Sequence, residues 1–206
     1  LYVTRGPGGF SPSPREVIGH QLYAALTKLR APDPNIYSHG VSAMISTVAA
    51  KEPFWSQIKS CNYLQNVLMK EECHLRGFDF AISVNPAGQM CEGSTENFLL
   101  ITQDNCMIVP KFDYTLRGTT VRVVMKLAEK LVSAGKLKSV RQDDITKQDL
   151  FSSKEAAFVG TTLGVLPIAR IETTPIGQGK GGPICQSLNQ ALMEEMTHNS
   201  EFRTKF

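Results

Sequence analysis

Apolar positions along the chain form two kinds of run, and each kind predicts a different element. Mostly apolar or alternating runs, typical of strands, cover residues 21–29, 41–49, 78–84, 97–102, 107–109 and 156–159. Apolar residues at helical spacing predict helices over 62–76, 121–133 and about 185–196. Strands and helices are therefore mixed along the chain, without a strict strand–helix–strand repeat.

Composition restricts the class of protein. Of the 206 residues, 42% are hydrophobic and 20% are charged, whereas a disordered chain has fewer apolar residues and more net charge. The longest apolar stretches are far shorter than the roughly 20 residues needed to span a bilayer. The net charge is +3 and the basic residues are spread out, so no basic patch predicts nucleic-acid binding. We expect a soluble globular protein that binds neither membranes nor nucleic acid.

Cysteine and histidine usage argues against a disulfide framework and against a metal site. The five cysteines are an odd number without a C-x-x-C pair, and only four histidines are scattered along the chain. This usage predicts reduced thiols in the cytoplasm and no bound metal. Gly177, Gly179 and Gly182 match the spacing of a dinucleotide-binding loop, but neither a long strand before them nor a helix of the required kind supports that interpretation.

Three segments carry candidate chemistry. Lys59 ends an extended run just before the first predicted helix, and Glu92 ends a short strand before a turn of small residues. Two threonine-rich corners, residues 116–120 and 160–162, form the third candidate, and the first corner precedes a helix whose free N–H groups suit a phosphate. Taken singly, a lysine is typically a solvated surface charge, and the other two features are typical of a surface loop and of helix capping.

Taken together, the three segments suggest one kind of site. A lysine amine, a separate carboxylate and two donor-rich corners are the groups needed to bind an aldehyde cofactor that carries a pyridine ring and a phosphate. The sequence therefore suggests pyridoxal 5′-phosphate as the cofactor.

These segments resemble the fold-type-IV pyridoxal-phosphate enzymes, the class IV aminotransferase family. The family includes branched-chain aminotransferases, D-amino-acid aminotransferases and aminodeoxychorismate lyases. The match runs from residues 3–6 to about Met196, and is strongest around Lys59, over 92–98 and at both threonine corners. The resemblance implies a mixed-sheet α/β pseudo-barrel with surrounding helices, the large C-terminal domain of such an enzyme.

The resemblance also assigns roles to individual residues. The residues of the cofactor site are Lys59, Glu92, Leu116, Thr119, Thr120, Thr161 and Tyr63. Lys59 is expected to form the Schiff base and shuttle a proton, Glu92 to pair with the pyridine nitrogen, and Leu116 to pack on the ring. The three threonines are expected to bind the phosphate, and Tyr63 to face the ring oxygen. The substrate carboxylate is expected near Thr162, Leu163 and Arg15.

The family's domain organisation predicts two parts in this chain. Residues 1–35 are expected to be the end of a smaller N-terminal domain and the interdomain connection, and residues 36–206 the cofactor-binding C-terminal domain. The rest of the smaller domain is expected to be missing from this sequence.

The resemblance leaves three functions open. The first is transfer of an amino group between an α-amino acid and a 2-oxo acid through Lys59, by a cytoplasmic homodimer that acts on a small amino-acid-like substrate. The second is aminodeoxychorismate lyase activity, because residues 163–167 are closer to the lyases. The third is a truncated domain without activity.

Overall fold

The computed structural model describes residues 1–29 and 32–199 in two compact units, Leu1–Ala31 and Pro32–Phe206. The first unit contains the antiparallel pair β1 (Tyr2–Thr4) and β2 (Gln21–Tyr23) and one turn of 3-10 helix, Pro14–Glu16. The predicted strand over 21–29 is too long, since regular pairing ends at Tyr23. The side chains of both strands are largely exposed.

The second unit contains one large mixed sheet. Its strands are β3 (Val41–Ile45), β4 (Phe80–Ile82), β5 (Asn97–Ile101), β6 (Cys106–Pro110), β7 (Ser139–Asp143), β8 (Glu155–Gly160), β9 (Gly164–Ile171) and β10 (Thr174–Pro175). The strand order is β4-β3-β9-β8-β5-β6-β7, and β10 pairs with β9. The β3–β4, β3–β9 and β6–β7 pairs are parallel and the others antiparallel.

Six helices accompany this sheet within the described part of the second unit. They are α1 (Ile36–His39), α2 (Pro53–Ser56), α3 (Leu64–Leu75), α4 (Thr119–Ser133), α5 (Lys147–Phe151) and α6 (Pro183–His198). The predicted helices over 62–76, 121–133 and 185–196 correspond to α3, α4 and α6.

Backbone hydrogen bonds join the two ends of the sheet. After β4 the chain turns back on itself, with a bridge between Val84 and Met90. The amide of Met90 then donates to the carbonyl of Ile145, just after β7, at 2.8 Å. This closure, together with the mixed strand directions, confirms the expected mixed-sheet pseudo-barrel.

The central strands are buried on both faces, as expected for a sheet covered on both sides. In β5, Leu99 and Ile101 pack with α4 and α6. The alternate residues Phe98 and Leu100 pack inside the barrel, where Phe98 lies opposite Phe158 of β8. β5 begins at Asn97, so this buried strand holds the end of the loop that follows Glu92.

Over residues 1–29 and 32–199, none of the helices is both long enough and apolar enough to cross a bilayer.

Candidate active site

Lys59 lies in the short connection between α2 and α3. Its side chain is exposed, and its ammonium donates a hydrogen bond to the hydroxyl of Tyr63 at 3.3 Å. Tyr63 is the residue that precedes the first turn of α3, so the helix start fixes the phenol. Within the described residues the Lys59 amine forms no ion pair, which leaves it available to a ligand.

Glu92 lies on the other wall of the same small cavity, which Lys59 and Tyr63 also line. Its carboxylate accepts a hydrogen bond from the backbone N–H of Leu116 at 2.9 Å. Burial raises the pKa of Glu92 to about 7, while this N–H and two lysines lower it, with Lys51 ahead of Lys59. The result is a carboxyl group that exchanges its proton near neutral pH.

The loop after Glu92 is held by its own polar groups. The buried carboxylate of Glu96 accepts from the N–H of Thr95 at 3.0 Å, and the N–H of Gly93 donates to the Glu96 carbonyl at 2.7 Å. A Cβ on Gly93 would lie only 2.6 Å from the Glu96 carboxylate. From α3, the Asn66 amide donates to the Ser94 carbonyl. The loop is therefore a rigid connection between Glu92 and β5.

Leu116 links the carboxylate to the first threonine corner. Its N–H donates to Glu92, and its carbonyl accepts from the Asn97 amide at 2.8 Å. Gly118 lies so close to Asn97 that a Cβ there would approach the Asn97 side-chain oxygen to 2.0 Å. Only glycine allows this approach, which fixes the start of α4 against β5.

The two threonine corners meet across a cavity of about 290 Å³. The hydroxyls of Thr120, in the first turn of α4, and Thr161, after β8, are 3.1 Å apart. Thr119, Arg117 and Lys59 also line this cavity. Free N–H groups of a helix start, hydroxyls and a cation in one concave site suit a phosphate.

Polar contacts on both sides hold the second corner. The hydroxyl of Tyr37 in α1 donates to the carbonyl of Leu163 at 2.8 Å, and the N–H of Val165 donates to the Asn189 side chain in α6 at 3.0 Å. Thr161 reaches the cavity wall, whereas Thr162 follows it on the exposed turn and the side chain of Leu163 packs into the core.

The structure thus brings most of the sequence-predicted residues together. One cavity joins Lys59, Tyr63, Glu92 and Leu116, and the adjoining one joins Lys59, Leu116 and the three threonines. Arg15 lies in the first unit, exposed, in the turn Pro14–Glu16.

Two contributors were missed by the sequence reasoning. Lys51 lines the Glu92 cavity, but a single lysine before a helix does not by itself indicate a functional site. The side-chain amide of Asn97 donates to the carbonyl of Leu116, which is 19 residues away in the chain, so the sequence does not show this contact. Over the described residues, no group of three or more His, Cys, Asp or Glu side chains could hold a metal ion.

Comparison with known proteins gives this geometry a context. The profile of the family "Amino-transferase class IV" matches residues 1–171. The chain belongs to this family. It is 33% identical over 196 residues to the chloroplastic D-amino-acid transaminase of Arabidopsis thaliana, covering 95% of this chain and 52% of that protein.

Further class IV relatives are similar in sequence and in structure. The branched-chain-amino-acid aminotransferase of Pseudomonas aeruginosa is 30% identical over 139 residues, which is 68% of this chain and 43% of that protein. The solved branched-chain amino acid aminotransferase from T.th. with pyridoxamine 5′-phosphate has a TM-score of 0.75 at 26% identity, covering 82% of this chain and 56% of that one. The lyase and inactive-domain alternatives are not favoured by these similarities.

The donor set of this class IV member fits the family's cofactor. Lys59 presents an amine that forms no ion pair with any residue of 1–29 or 32–199. Glu92 presents a carboxyl group that accepts a hydrogen bond from Leu116, and the hydroxyl corner adjoins both. The chain spans about half the length of the curated relatives described above.

Proposed function

We propose that the chain is the cofactor-binding part of a pyridoxal-phosphate aminotransferase that moves an amino group between an α-amino acid and a 2-oxo acid. The observation that supports this most directly is that Lys59 borders two adjoining cavities. One contains the Glu92 carboxylate and the other the hydroxyl corner. An amine, a carboxylate and a phosphate-binding corner thus surround a single space, as the cofactor requires.

The phosphate would be held by the three threonines and the start of α4. Phosphate esters of this kind carry about two negative charges at neutral pH. The hydroxyls of Thr120 and Thr161, 3.1 Å apart, can donate to the same anion. The Arg117 side chain, which lines this cavity, adds a positive charge.

The ring would be held at three other points. Glu92 would hold the proton on the ring nitrogen, and the side chain of Leu116, which lines both cavities, would pack against the ring. The Tyr63 hydroxyl, 3.3 Å from the Lys59 amine, would face the ring oxygen beside the carbon that Lys59 binds.

The chemistry would be divided between cofactor and protein. When bound, pyridoxal 5′-phosphate supplies the electron sink for amino-group transfer. Nζ of Lys59 would hold the cofactor by its aldehyde carbon. Once the substrate amino group has displaced it from that carbon, the freed amine would accept the proton from the substrate Cα and return it. The hydroxyl of Tyr63 orients Nζ for this transfer.

The substrate carboxylate would be bound near the turn after β8. The backbone at Thr162 and Leu163 would meet the carboxylate there, in a turn that the contacts of Tyr37 and Asn189 hold. Arg15 is a second candidate for binding this carboxylate. The substrate class is therefore a small α-amino acid and its 2-oxo partner.

Chemical capture tests the cofactor assignment directly. Adding pyridoxal 5′-phosphate should produce a new absorbance band, and borohydride reduction followed by peptide mapping should place the adduct on Lys59. Pyridoxal without the phosphate is the matched control, and it should label Lys59 much less because the threonine corner has no anion to bind. Label spread over many surface lysines would contradict the proposal.

We also propose that the protein is a cytoplasmic homodimer. All five cysteines are free thiols, which suits a reducing compartment. One face of α3 exposes the large apolar side chains of Leu64, Val67, Leu68 and Leu75, which recur at helical spacing, and Trp55 of α2 is also exposed. Monomers rarely expose such a continuous apolar patch, so a second copy is the proposed occupant.

Charges placed on this α3 face should weaken the dimer. The double variant Val67→Lys, Leu68→Lys is expected to raise the dimer dissociation constant by at least about 10-fold, because two charges would be buried without partners. Sedimentation velocity over a concentration series measures this constant. Met196→Lys, on an exposed apolar residue of α6, is the control and should leave it unchanged. Equal association of both variants and the wild type would exclude this face.

A further inference from the structure

Lys51 is a lysine of the site to which the proposed function assigns no role. It follows β3 and comes shortly before α2, and its side chain is half-buried. Lysine is rarely buried unless its charge has a partner. In the described structure, however, the Lys51 ammonium forms neither an ion pair nor a hydrogen bond, so other groups around it must account for its partial burial.

The first such surrounding group is the ring of Tyr63. The Lys51 ammonium is 5.3 Å from the ring centroid, which is within the range of a cation–π contact. The Lys59 ammonium lies 6.0 Å from the same centroid and donates to the Tyr63 hydroxyl. Tyr63 therefore interacts with two cations, Lys59 through its hydroxyl and Lys51 through its ring.

The second surrounding group is Glu92. Lys51 and Glu92 line the same two small cavities. The other charges that act on this carboxylate are Lys59, which favours its ionised form, and Glu96, which opposes it. Lys51 exerts the larger electrostatic effect of the two lysines.

We propose that Lys51 is a positioning residue whose ammonium, held by the ring of Tyr63, favours the ionised form of the Glu92 carboxylate. This role rests on the proposed function, because an ionised Glu92 is what a protonated pyridine ring would require. It also explains why a second lysine is needed. Nζ of Lys59 would be bound to the cofactor aldehyde, whereas the Lys51 ammonium would remain free near Glu92.

The charge state of Glu92 can be measured without any cofactor. In the 206-residue chain labelled with ¹³C at the glutamate carboxyl carbons, the Glu92 resonance is the one that Glu92→Gln removes. Its titration midpoint should lie near neutral pH in the wild type. Lys51→Met should raise that midpoint by roughly one pH unit, because a nearby cation has been lost. Lys51→Arg, which keeps the charge, should restore it.

Two further variants test how the ammonium is held. Tyr63→Leu should raise the midpoint in the same direction as Lys51→Met, whereas Tyr63→Phe, which keeps the ring, should not. Lys147→Met is the matched control, because the Lys147 ammonium lies 5.7 Å from the Phe151 ring, outside the site. It should leave the Glu92 midpoint unchanged.

The outcomes separate this inference from the proposed function. An unchanged Glu92 midpoint in Lys51→Met, or in Lys51→Gln if the methionine variant does not fold, overturns the role of Lys51 even if pyridoxal 5′-phosphate is captured on Lys59. A raised midpoint that Lys51→Arg restores supports the electrostatic role. Failure of wild-type capture with the same raised midpoint would refute the proposed function and leave the lysine–carboxylate coupling established.

Discussion

Replacing Lys59 by alanine should lower amino-group transfer by about 10⁴-fold or more, because the same amine would bind the cofactor and carry the substrate proton. Cofactor should still associate through the hydroxyl corner, because the hydroxyls of Thr120 and Thr161 and the charge of Arg117 remain there. The measurement is the rate at which a 2-oxo acid appears from a small α-amino acid when a second 2-oxo acid is supplied.

Lys147→Ala is the control for this experiment, since Lys147 lies in α5, where its ammonium is 5.7 Å from the Phe151 ring, and it lines neither cavity of the site. An added primary amine should partly restore activity in Lys59→Ala, because it replaces the missing proton acceptor. Undiminished transfer in Lys59→Ala would show that another group does this chemistry.

Glu92→Gln should lower activity but raise the stability of the folded chain above neutral pH. Activity should fall roughly 10²–10³-fold, the size expected when one preorganised charged group is removed from a site. The protein should nevertheless fold, because a glutamine side chain still offers an oxygen to the N–H of Leu116.

Stability should change in the opposite direction above neutral pH. The pKa of Glu92 is about 7 in the folded chain, against the ordinary value of 4.5. The folded state therefore binds the proton more tightly, and wild-type stability falls as the pH rises from about 4.5 to about 7. Glutamine has no such charge to bury, so Glu92→Gln without cofactor should melt at a higher temperature than the wild type at pH 8.

Thermal unfolding at two pH values checks this result. At pH 4 both proteins carry an uncharged side chain at this position, so the gain should disappear. If Glu92→Gln were less stable than the wild type at both pH values, its loss of activity would reflect damage to the fold.

The sequence motifs predicted the chemical groups of the site better than the backbone around them. Lys59, Glu92 and the threonine corners were identified because each lies in a recognisable segment, and the structure brings them to adjoining cavities. Lys51 was not identified, because its importance depends on Tyr63 and Glu92, which are distant in sequence and close in space.

Among the elements that the sequence pattern does not predict are β7, β9 and α5, and each has a physical reason. The longest strand, β9, contains Gly164 at its start and Pro167 within it. Proline disfavours a central strand, but Pro167 is accommodated opposite Ala157 of β8. The strand β7 is partly exposed and polar, and α5 has only five residues, so neither shows a hydrophobic period. Tertiary pairing, rather than local pattern, determines the two strands, whereas a capping box between Thr146 and Asp149 starts α5.

The backbone of Leu116 sets the spacing between the two parts of the pocket. Its N–H points to the Glu92 carboxylate and its carbonyl to the Asn97 amide, two residues before the glycine that starts α4. Main-chain atoms thus set the distance between the carboxylate and the hydroxyl corner. Substitutions of the Leu116 side chain can reshape the pocket wall and change which ligands fit, while the length of molecule that the pocket accepts stays the same.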